Sequence, residues 1–354
     1  MSGPLVTIAI PTRNRAASLR KSLENILALE YSPIEILISD NCSDDNTEQV
    51  CRDAMTADPR IRYVRQPRNI GLHGNHNLCM DEARGEFLCL VHDHDRRDTR
   101  IVSKYVEFLQ RHPRVGVVGS DHELIDDAGN HLDVRGSHGP SVTPGLDYIS
   151  RTMRSGRSAF GLPGAMVRMK ALGATRFGLE APIGFGDFPI WFRVAEEWDV
   201  GHIHERLWSW RQNSESHSAR PIEDIVRDFQ QNLGNYCDAH LERWPGHGRL
   251  VEEWRASIRR YLFWALAYEV ALHFRPRGAH SSQRSSRTLF EIMDYTLTPD
   301  QFEHTLAQMK GYRSGLATHV AFAAVWMLIQ LRVTSPLGWV VRHQTTVRTL
   351  LRLK

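Results

Sequence analysis

The sequence has few cysteines and no marked excess of charge of either sign. Its 354 residues include five cysteines, an odd number with no CxxC pair among them. We therefore expect no disulfide framework, and a reducing cytoplasm fits best. Lys plus Arg (44) nearly balances Asp plus Glu (41), so the net charge of +3 provides no field that would attract nucleic acid. Any anionic ligand must be bound by local groups.

Long hydrophobic runs are also missing. The N-terminus, MSGPLVTIAIPTRN, lacks a basic start, a long apolar stretch and a cleavage site, so we expect a first strand there and not a secretory signal. The apolar run 315–331 has 17 residues and contains His319 and Gln330. It is shorter than the ~20 apolar residues of a spanning helix, which predicts a buried or interfacial helix.

What is present is an alternation of apolar runs and helical periods between residues 5 and 120. Continuous apolar strands separated by helices predict a parallel sheet covered on both faces, a doubly wound α/β domain. Ligands of such sheets bind beyond the carboxyl ends of the strands. The predicted strands are 6–10, 34–40, 61–66, 87–91 and 115–120, and the predicted helices are 18–29, 46–57, 74–84 and 101–113.

The rest of the chain changes character twice. Residues 121–220 are richer in Gly, Pro and Ser, and we expect loops, short strands and one helix there. After about Pro221 helical periods continue without strands, as in 224–244. We therefore predict two domains, a catalytic α/β domain over 1–220 and a C-terminal helical domain over 221–354.

Polar residues follow three of the predicted strands, in PTRNR (11–15), SDNCSDD (39–45) and HDHD (92–95). If the sheet is parallel, all three meet in one crevice. Asp40 begins a run of turn-forming residues, and it is interpreted either as part of a solvated turn or as an acceptor for the imide hydrogen of a pyrimidine base.

The acidic pair Asp93 and Asp95 suggests a metal site. Residues two apart in a strand share a face, so both carboxylates would point one way while His92 and His94 point the other. Such a pair makes an oxygen site for Mg²⁺ or Mn²⁺, whose charge would offset the cost of burying two acids. A His/Asp metal hydrolase site is the alternative, but no HxxxH or HxHxDH spacing supports it.

Four segments resemble, in order and spacing, the family 2 glycosyltransferases of the GT-A fold. The resemblance covers roughly residues 5–220. It implies a GT-A, doubly wound, mainly parallel sheet followed by a helical region. It also implies metal-dependent, inverting transfer of a sugar from a nucleotide-diphosphate donor to an acceptor hydroxyl in polysaccharide or glycoconjugate synthesis. The segments are IAIPTRNRAASLRKSLENIL (8–27), IEILISDNCSDDNT (34–47), RNIGLHGNHNLCMDEARGEFLCLVHDHD (68–95) and FLQRHPRVGVVGS (108–120).

The resemblance assigns the donor side of the site. The acidic pair Asp93 and Asp95 matches the family's metal and diphosphate ligands. The first two strand ends match the family's contacts to base and ribose, and an NxGxxxNxN stretch matches the segment beneath the nucleotide. These residues are Pro11, Thr12, Asn14, Arg15 and Asp40 in the first group, and Asn69, Gly71, Gly74, Asn75 and Asn77 in the second.

Two departures from the family pattern stand near the acidic pair. His76 takes a position that often carries Arg or an aromatic residue, which leaves its contact with the nucleotide open. The chain continues as RRDTR (96–100) where a proline is common in the family. We expect Arg96 and Arg97 to begin the next helix in solvent, with a phosphate contact as the alternative.

The acceptor side of the resemblance centres on GFGDFPIWFRVA (184–195). Asp187 matches the family's general base, which an un-ionised alcohol needs before it can act as a nucleophile. A helix cap is the alternative role for this acid. The loop GLPGAMVRM (161–169) resembles the family's loop under the acceptor, where Gly164 would permit close approach.

A strand and loop, LWSWRQNSESHS (207–218), resemble the family segment that closes over the donor. Arg211 is expected to meet diphosphate charge, and His217 is a weaker candidate for a metal or phosphate contact, with a solvated histidine as the alternative.

The expected cofactor is Mn²⁺ or Mg²⁺, and the expected partners are a donor of UDP or dTDP type and a glycan or lipid-linked acceptor, with no nucleic acid. Two alternative functions stay open. A nucleotidyltransferase would need a Gly-rich, Lys-containing phosphate loop, which PTRNRAAS does not provide. A catalytically inactive nucleotide-sugar-binding module is the other.

The last 23 residues, 332–354, carry five Lys or Arg and no acid. Together with an apolar stripe they predict peripheral contact with anionic lipid at the inner face of the cell membrane. The alternative is that both C-terminal segments pack as ordinary core with solvated arginines.

Overall fold

A computed structural model of the protein describes residues 3–126, 128–137, 139–156, 158–211 and 222–258. The chain divides into two compact units, residues 1–261 and 262–354. The second unit lies outside the described residues. The predicted membrane-binding tail falls there, and His217 falls in the undescribed segment 212–221. Both stay predictions, as does the domain boundary near Pro221.

The first unit is built on a mixed, mostly parallel sheet. The strands are Val6–Thr12 (β1), Ile34–Asp40 (β2), Ile61–Arg65 (β3), Phe87–Leu90 (β4), Arg96–Arg97 (β5), Val115–Ile125 (β6), His131–Arg135 (β7), Val142–Thr143 (β8), Ala165–Arg168 (β9) and Asp199–Arg211 (β10). Their order in the sheet is β3-β2-β1-β4-β9-β6-β10-β5. The parallel pairs are β1 with β2 and β4, β2 with β3, and β6 with β10.

Amphipathic helices cover the sheet. Helix α1 buries Leu19, Leu23 and Ile26, whose spacing places them on one helical face. They join the buried side chains of the central strands in one hydrophobic core. The helices are Ala16–Leu27 (α1), Thr47–Ala57 (α2), Gly71–Glu82 (α3), Ile101–Arg111 (α4), Gly145–Ser155 (α5), Met169–Leu172 (α6), Asp187–Ala195 (α7) and Ile222–Arg243 (α8), and residues 248–258 are also helical.

Strands β1 and β4 separate at a proline. Their registered pairing ends at Ala9 opposite Leu90, whereas β1 continues beside β2 as far as Thr12 opposite Asp40. Pro11 has no N–H to donate to a neighbouring strand. No sheet hydrogen bond is lost by this, because on that side β4 has already ended. The separation opens a crevice at the carboxyl edge of the sheet.

The α/β sheet and the nine elements predicted between residues 5 and 120 agree with the structure, but the region after residue 120 is more ordered than expected. It contains the 13-residue strand β10 and two helices of nine or more residues, α5 and α7, where one helix was predicted. Strands β5, β7, β8 and β9 are antiparallel additions. Short strands of this kind carry too little periodicity to be seen in the sequence.

The expectation that Arg97 begins a helix in solvent is wrong. Arg97 lies in β5, opposite Trp208 of β10, and only 4% of its surface is exposed. Arg96 is exposed, as expected. Within the described ranges, no helix combines the length and hydropathy that crossing a lipid bilayer requires.

A single-turn 3-10 helix, Leu162–Gly164, lies directly before β9 in the chain. A Cβ atom at Gly164 would overlap the indole ring of Trp208, so the close approach at this glycine is made by Trp208. A buried ring thus occupies the Cβ side of Gly164, and the predicted approach of an acceptor to this loop stays a prediction.

We expect Gly164→Ala to lower the free energy of unfolding by ~1–3 kcal/mol, the usual cost of overpacking. Urea unfolding of the purified protein measures it. Gly234→Ala is the matched control, because the added Cβ would meet no described atom within 4 Å apart from its chain neighbours and the adjacent backbone of α8, and alanine is favourable inside a helix. Equal stability of the Gly164 variant and the parent would contradict this packing.

Candidate active site

The crevice between β1 and β4 contains the first contact of the site. Thr12 Oγ1 donates a hydrogen bond to Asp93 Oδ2 at 2.7 Å, although 81 residues separate the two. Arg15 Nε lies 4.0 Å from Asp93 Oδ1. Three of the residues predicted to bind the nucleotide-sugar donor are therefore brought together, and Asp93 is fixed from the β1 side.

Asp40 has no exposed surface, and both of its carboxylate oxygens accept bonds inside the protein. Its Oδ1 accepts from the backbone N–H and hydroxyl of Ser43, at 2.9 and 2.6 Å, and its Oδ2 accepts from Tyr63 at 2.7 Å. Desolvation and the nearby Asp40 raise the pKa of the Tyr63 hydroxyl. Asp40 therefore holds the turn after β2. The predicted contact with a base stays a prediction.

Asn14 connects the turns after β1 and β2. It adopts a left-handed conformation, with φ 53°, which asparagine tolerates better than most residues. Its backbone N–H donates to Ser43 Oγ at 2.9 Å, and its Oδ1 accepts from the Asp44 N–H at 2.7 Å. An open depression of about 400 Å³ lies beside it, lined by residues 13–18 and Asp45.

The asparagines of the NxGxxxNxN stretch support the end of β2. Asn69 Oδ1 accepts from Asn41 Nδ2 at 2.8 Å, and Gly71 has φ +78°, which favours glycine. Asn75 is buried and forms two hydrogen bonds with Ser39, at 2.6 and 3.0 Å. These side chains fix the crevice wall from below, and their position relative to a nucleotide stays a prediction.

Residues 92–95 form a turn and do not continue β4. The expectation that the histidines point away from the acids is therefore wrong. His94 Nδ1 lies 3.1 Å from Asp93 Oδ1, and its Nε2 lies 3.9 Å from Asp95 Oδ1. His92 Nδ1 lies 3.6 Å from Asp95 Oδ2. The two imidazoles surround the acids, and a turn after a strand was not distinguishable from further strand in the sequence.

His92, His94 and Asp95 fit a divalent cation. One ligand atom from each lies within 4.8 Å of the others. Asp95 Oδ2 and His92 Nδ1 are buried and form no hydrogen bond with any of the described residues. Burial raises the pKa of Asp95 and lowers that of His92 well below its usual value. Two facing orphaned ligand atoms are what a bound cation would satisfy.

Asp95 is also approached by two arginines. The Arg211 N–H donates to Asp95 Oδ1 at 3.1 Å, and the Arg211 guanidinium donates to the carbonyls of His94 and Asp126 at 3.1 and 2.9 Å. Arg97, for which the sequence left a phosphate contact as the alternative, is buried near Asp95. Burial lowers the pKa of its guanidinium, and the charge of Asp95 partly offsets this fall. Arg211 thus closes the end of β10 onto the 92–95 turn.

Asp187 is the first residue of α7, and no side chain caps this helix. Its Oδ2 instead accepts from the Leu162 N–H at 3.2 Å. Burial raises the pKa of Asp187 to about 6, although bonds from backbone N–H groups partly offset the shift. An acid with a pKa near neutrality suits proton transfer at cellular pH.

The 162–164 turn connects the two acidic centres. Leu162 bonds Asp187, and the adjacent Pro163 carbonyl accepts from Arg97 Nη2 at 3.2 Å. Gly164 O accepts from the buried Tyr105 hydroxyl at 2.8 Å. One rigid turn therefore positions Asp187 relative to Arg97 and Asp95.

Comparisons with known proteins accord with this geometry. Residues 7–136 match the family described as Glycosyl transferase family 2. The uncharacterized protein y4gI of Sinorhizobium fredii is 27% identical over 253 residues, 69% of this chain and 26% of that protein. The candidate glycosyltransferase EpsE of Bacillus subtilis is 26% identical over 228 residues, 62% of this chain and 77% of that protein. The chain thus spans about a quarter of the length of y4gI.

Among solved structures, the mannosyltransferase PcManGT from Pyrobaculum calidifontis, in complex with GDP-Man and Mn²⁺, matches with a TM-score of 0.55 at 16% identity. The match covers 94% of this chain and 87% of that chain. The chain therefore has a GT-A-like α/β fold. The match of residues 7–136 to glycosyl transferase family 2 confirms the resemblance found in the sequence.

The raised pKa of Asp187 predicts how stability depends on pH. The folded pKa of about 6 exceeds the usual aspartate value, so the folded state binds the extra proton between about pH 4 and 6. The stability that this proton provides is complete below about pH 4 and is lost as the pH rises through 6. Asp187→Asn should therefore gain on the parent by about 2–3 kcal/mol between pH 4 and 8.

Urea unfolding at several pH values measures this difference. Asp147→Asn, an exposed acid in the first turn of α5, is the matched control and should show no such trend. A stability difference between the Asp187 variant and the parent that does not change with pH would refute the assignment.

Proposed function

We propose that the protein is a metal-dependent, inverting glycosyltransferase that moves a sugar from a nucleoside-diphosphate donor to an acceptor hydroxyl. The observation that carries the proposal is the pairing of two centres: a His/His/Asp cluster with a buried carboxylate and orphaned ligand atoms, and an acid whose pKa is raised to about 6. One turn bonds Asp187 and Arg97, the buried arginine near Asp95. The family 2 domain supplies the reaction class.

The cation ligands in this proposal are Asp95, His92 and His94. When bound, Mn²⁺ or Mg²⁺ would neutralise charge on the departing diphosphate. With Nδ1 protonated, His94 donates to Asp93 and presents the lone pair of Nε2 toward Asp95. This is the arrangement in which a carboxylate orients a histidine ligand. Asp93 therefore positions His94, while Thr12 holds Asp93.

Asp187 acts as the general base. The acceptor oxygen forms a bond to the anomeric carbon as the bond from that carbon to the diphosphate oxygen breaks. The acceptor proton passes to Asp187, and the electron pair leaves with the nucleoside diphosphate. Attack opposite the leaving group inverts the anomeric centre. Arg211 and the buried Arg97 add positive charge on the leaving-group side.

The donor and acceptor classes follow the sequence-based expectation. We infer a UDP or dTDP sugar as donor, bound along Pro11, Thr12, Asn14 and Arg15, and a glycan or lipid-linked acceptor. The test incubates the full-length protein with a panel of nucleotide sugars, with and without Mn²⁺, and measures released nucleoside diphosphate. Mn²⁺-dependent release supports the proposal. Donor binding without release in the presence of varied acceptors would favour a binding module.

Asp187→Asn should lower turnover by about 10²–10⁴-fold, the usual contribution of general base catalysis, because the acceptor proton loses its destination. Donor affinity, measured by calorimetry, should be retained. In the parent, kcat/KM should rise with pH through about 6 and then level, since the base must be ionised. Turnover of the variant within a few-fold of the parent would place the base elsewhere; Asp147→Asn is the control.

Asp95→Asn should abolish Mn²⁺ binding in calorimetry, because it removes the negatively charged carboxylate that lies beside both imidazoles. His94→Ala should weaken Mn²⁺ more than Mg²⁺, since Mg²⁺ prefers oxygen ligands and imidazole suits the transition metals. The exposed Asp53→Asn is the control. Unchanged Mn²⁺ affinity in a folded Asp95 variant would rule out this ligand set.

A further inference from the structure

A second cluster of metal-binding side chains lies between β6 and β10. The sequence His202-Ile203-His204 places two imidazoles two residues apart on β10, and therefore on one face of the strand. His202 pairs with Gly119 of β6, and the register then shifts between Ile203 and Arg206, which pairs with Asp121. Asp121 is two residues after Gly119, so its side chain shares the face of His202.

The three side chains converge. One ligand atom each from Asp121, His202 and His204 lies within 4.8 Å of the others. His202 Nε2 lies 2.7 Å from Asp121 Oδ1, and the two imidazole centroids are 5.0 Å apart. The irregular pairing between Ile203 and Arg206 carries His204 beside Asp121.

His202 is the buried member of the three, with 3% of its surface exposed. Its Nε2 faces Asp121 at hydrogen-bond distance, while its Nδ1 is buried with no hydrogen-bond partner among the described residues. A cation bound at Nε2 would replace this hydrogen bond to Asp121. The convergence of the three ligand atoms is therefore the observation that indicates a cation site.

We propose that Asp121, His202 and His204 form a second cation site, for a borderline transition metal such as Zn²⁺. Two nitrogens and one carboxylate oxygen are the donors that Zn²⁺ accepts, whereas Mg²⁺ and Ca²⁺ prefer oxygen alone. Because His204 is exposed, a fourth position is open to solvent. The proposal goes beyond the transferase function and does not depend on it.

This site is separate from the 92–95 cluster. Arg211, which bonds Asp95, pairs with Ile125 of β6. Asp121 is four residues earlier on β6, about 13 Å along a strand at its usual rise. The two sites therefore bind their ions independently.

The bound ion has a structural role. It joins β6 and β10 at the place where their pairing is irregular. Asp121 Oδ1 also accepts from the Ser137 N–H at 3.2 Å, and the His202 N–H donates to the Ser141 carbonyl at 2.8 Å. An ion held by Asp121 and His202 thereby stabilises the connection that includes Ser137 and Ser141.

The test titrates the full-length, metal-free protein with Zn²⁺ by calorimetry and follows thermal unfolding. His204→Ala should lose one equivalent of bound Zn²⁺ and the accompanying rise in Tm, about 5 °C at saturating metal. Its Mn²⁺ binding at the 92–95 cluster should be unchanged. His131→Ala, an exposed histidine on the neighbouring strand β7, is the matched control and should keep the equivalent.

Asp121→Asn is the second variant, because it removes another ligand without removing the side-chain volume, and it should lose the same equivalent. Asp95→Asn should retain it. The proposal is overturned if folded His204→Ala binds as many equivalents of Zn²⁺ as the parent with equal affinity. It is also overturned if the parent binds none beyond those lost in Asp95→Asn.

Discussion

The arrangement of the site depends on the buried carboxylate of Asp95. One of its oxygens accepts from the Arg211 N–H, while the other is buried without a hydrogen-bond partner among the described residues. Burial of a carboxylate is unfavourable unless positive charge compensates it. His92, His94 and the buried Arg97 supply donors or charge around it. The cluster is electrostatically incomplete as a purely protein structure, which is the expected condition of a binding site for a cation.

The rest of the site is held in place by the strand pairing that buries this group. Strand β10 pairs with β5, and this pairing buries Arg97 beneath Trp208. Trp208 packs against Gly164, and the 162–164 turn bonds Arg97 on one side and Asp187 on the other. A base and a cation site held by rigid elements need little reorganisation when the reactants bind.

Several polar residues expected to contact the nucleotide form hydrogen bonds within the protein. Asp40 holds its own turn, and Asn75 bonds Ser39. Asn14 ties the first two strand ends together. They give the crevice its shape, because a turn after a strand has backbone groups that the sheet does not satisfy. The neighbouring Thr12 and Arg15 are the residues directed at Asp93.

The sequence by itself determined the α/β class, the first five long strands and four helices, and the strand ends where the site lies, because apolar periodicity is a local property of the chain. It also suggested Asp95 and, through the family resemblance, Asp187 as site residues, which stay predictions. Only the tertiary structure decided that His92 and His94 join the acids, that Arg97 is buried, and that His202 and His204 meet Asp121. These contacts depend on a turn after β4 and on residues brought together across 81 to 116 positions of sequence, which no local pattern encodes.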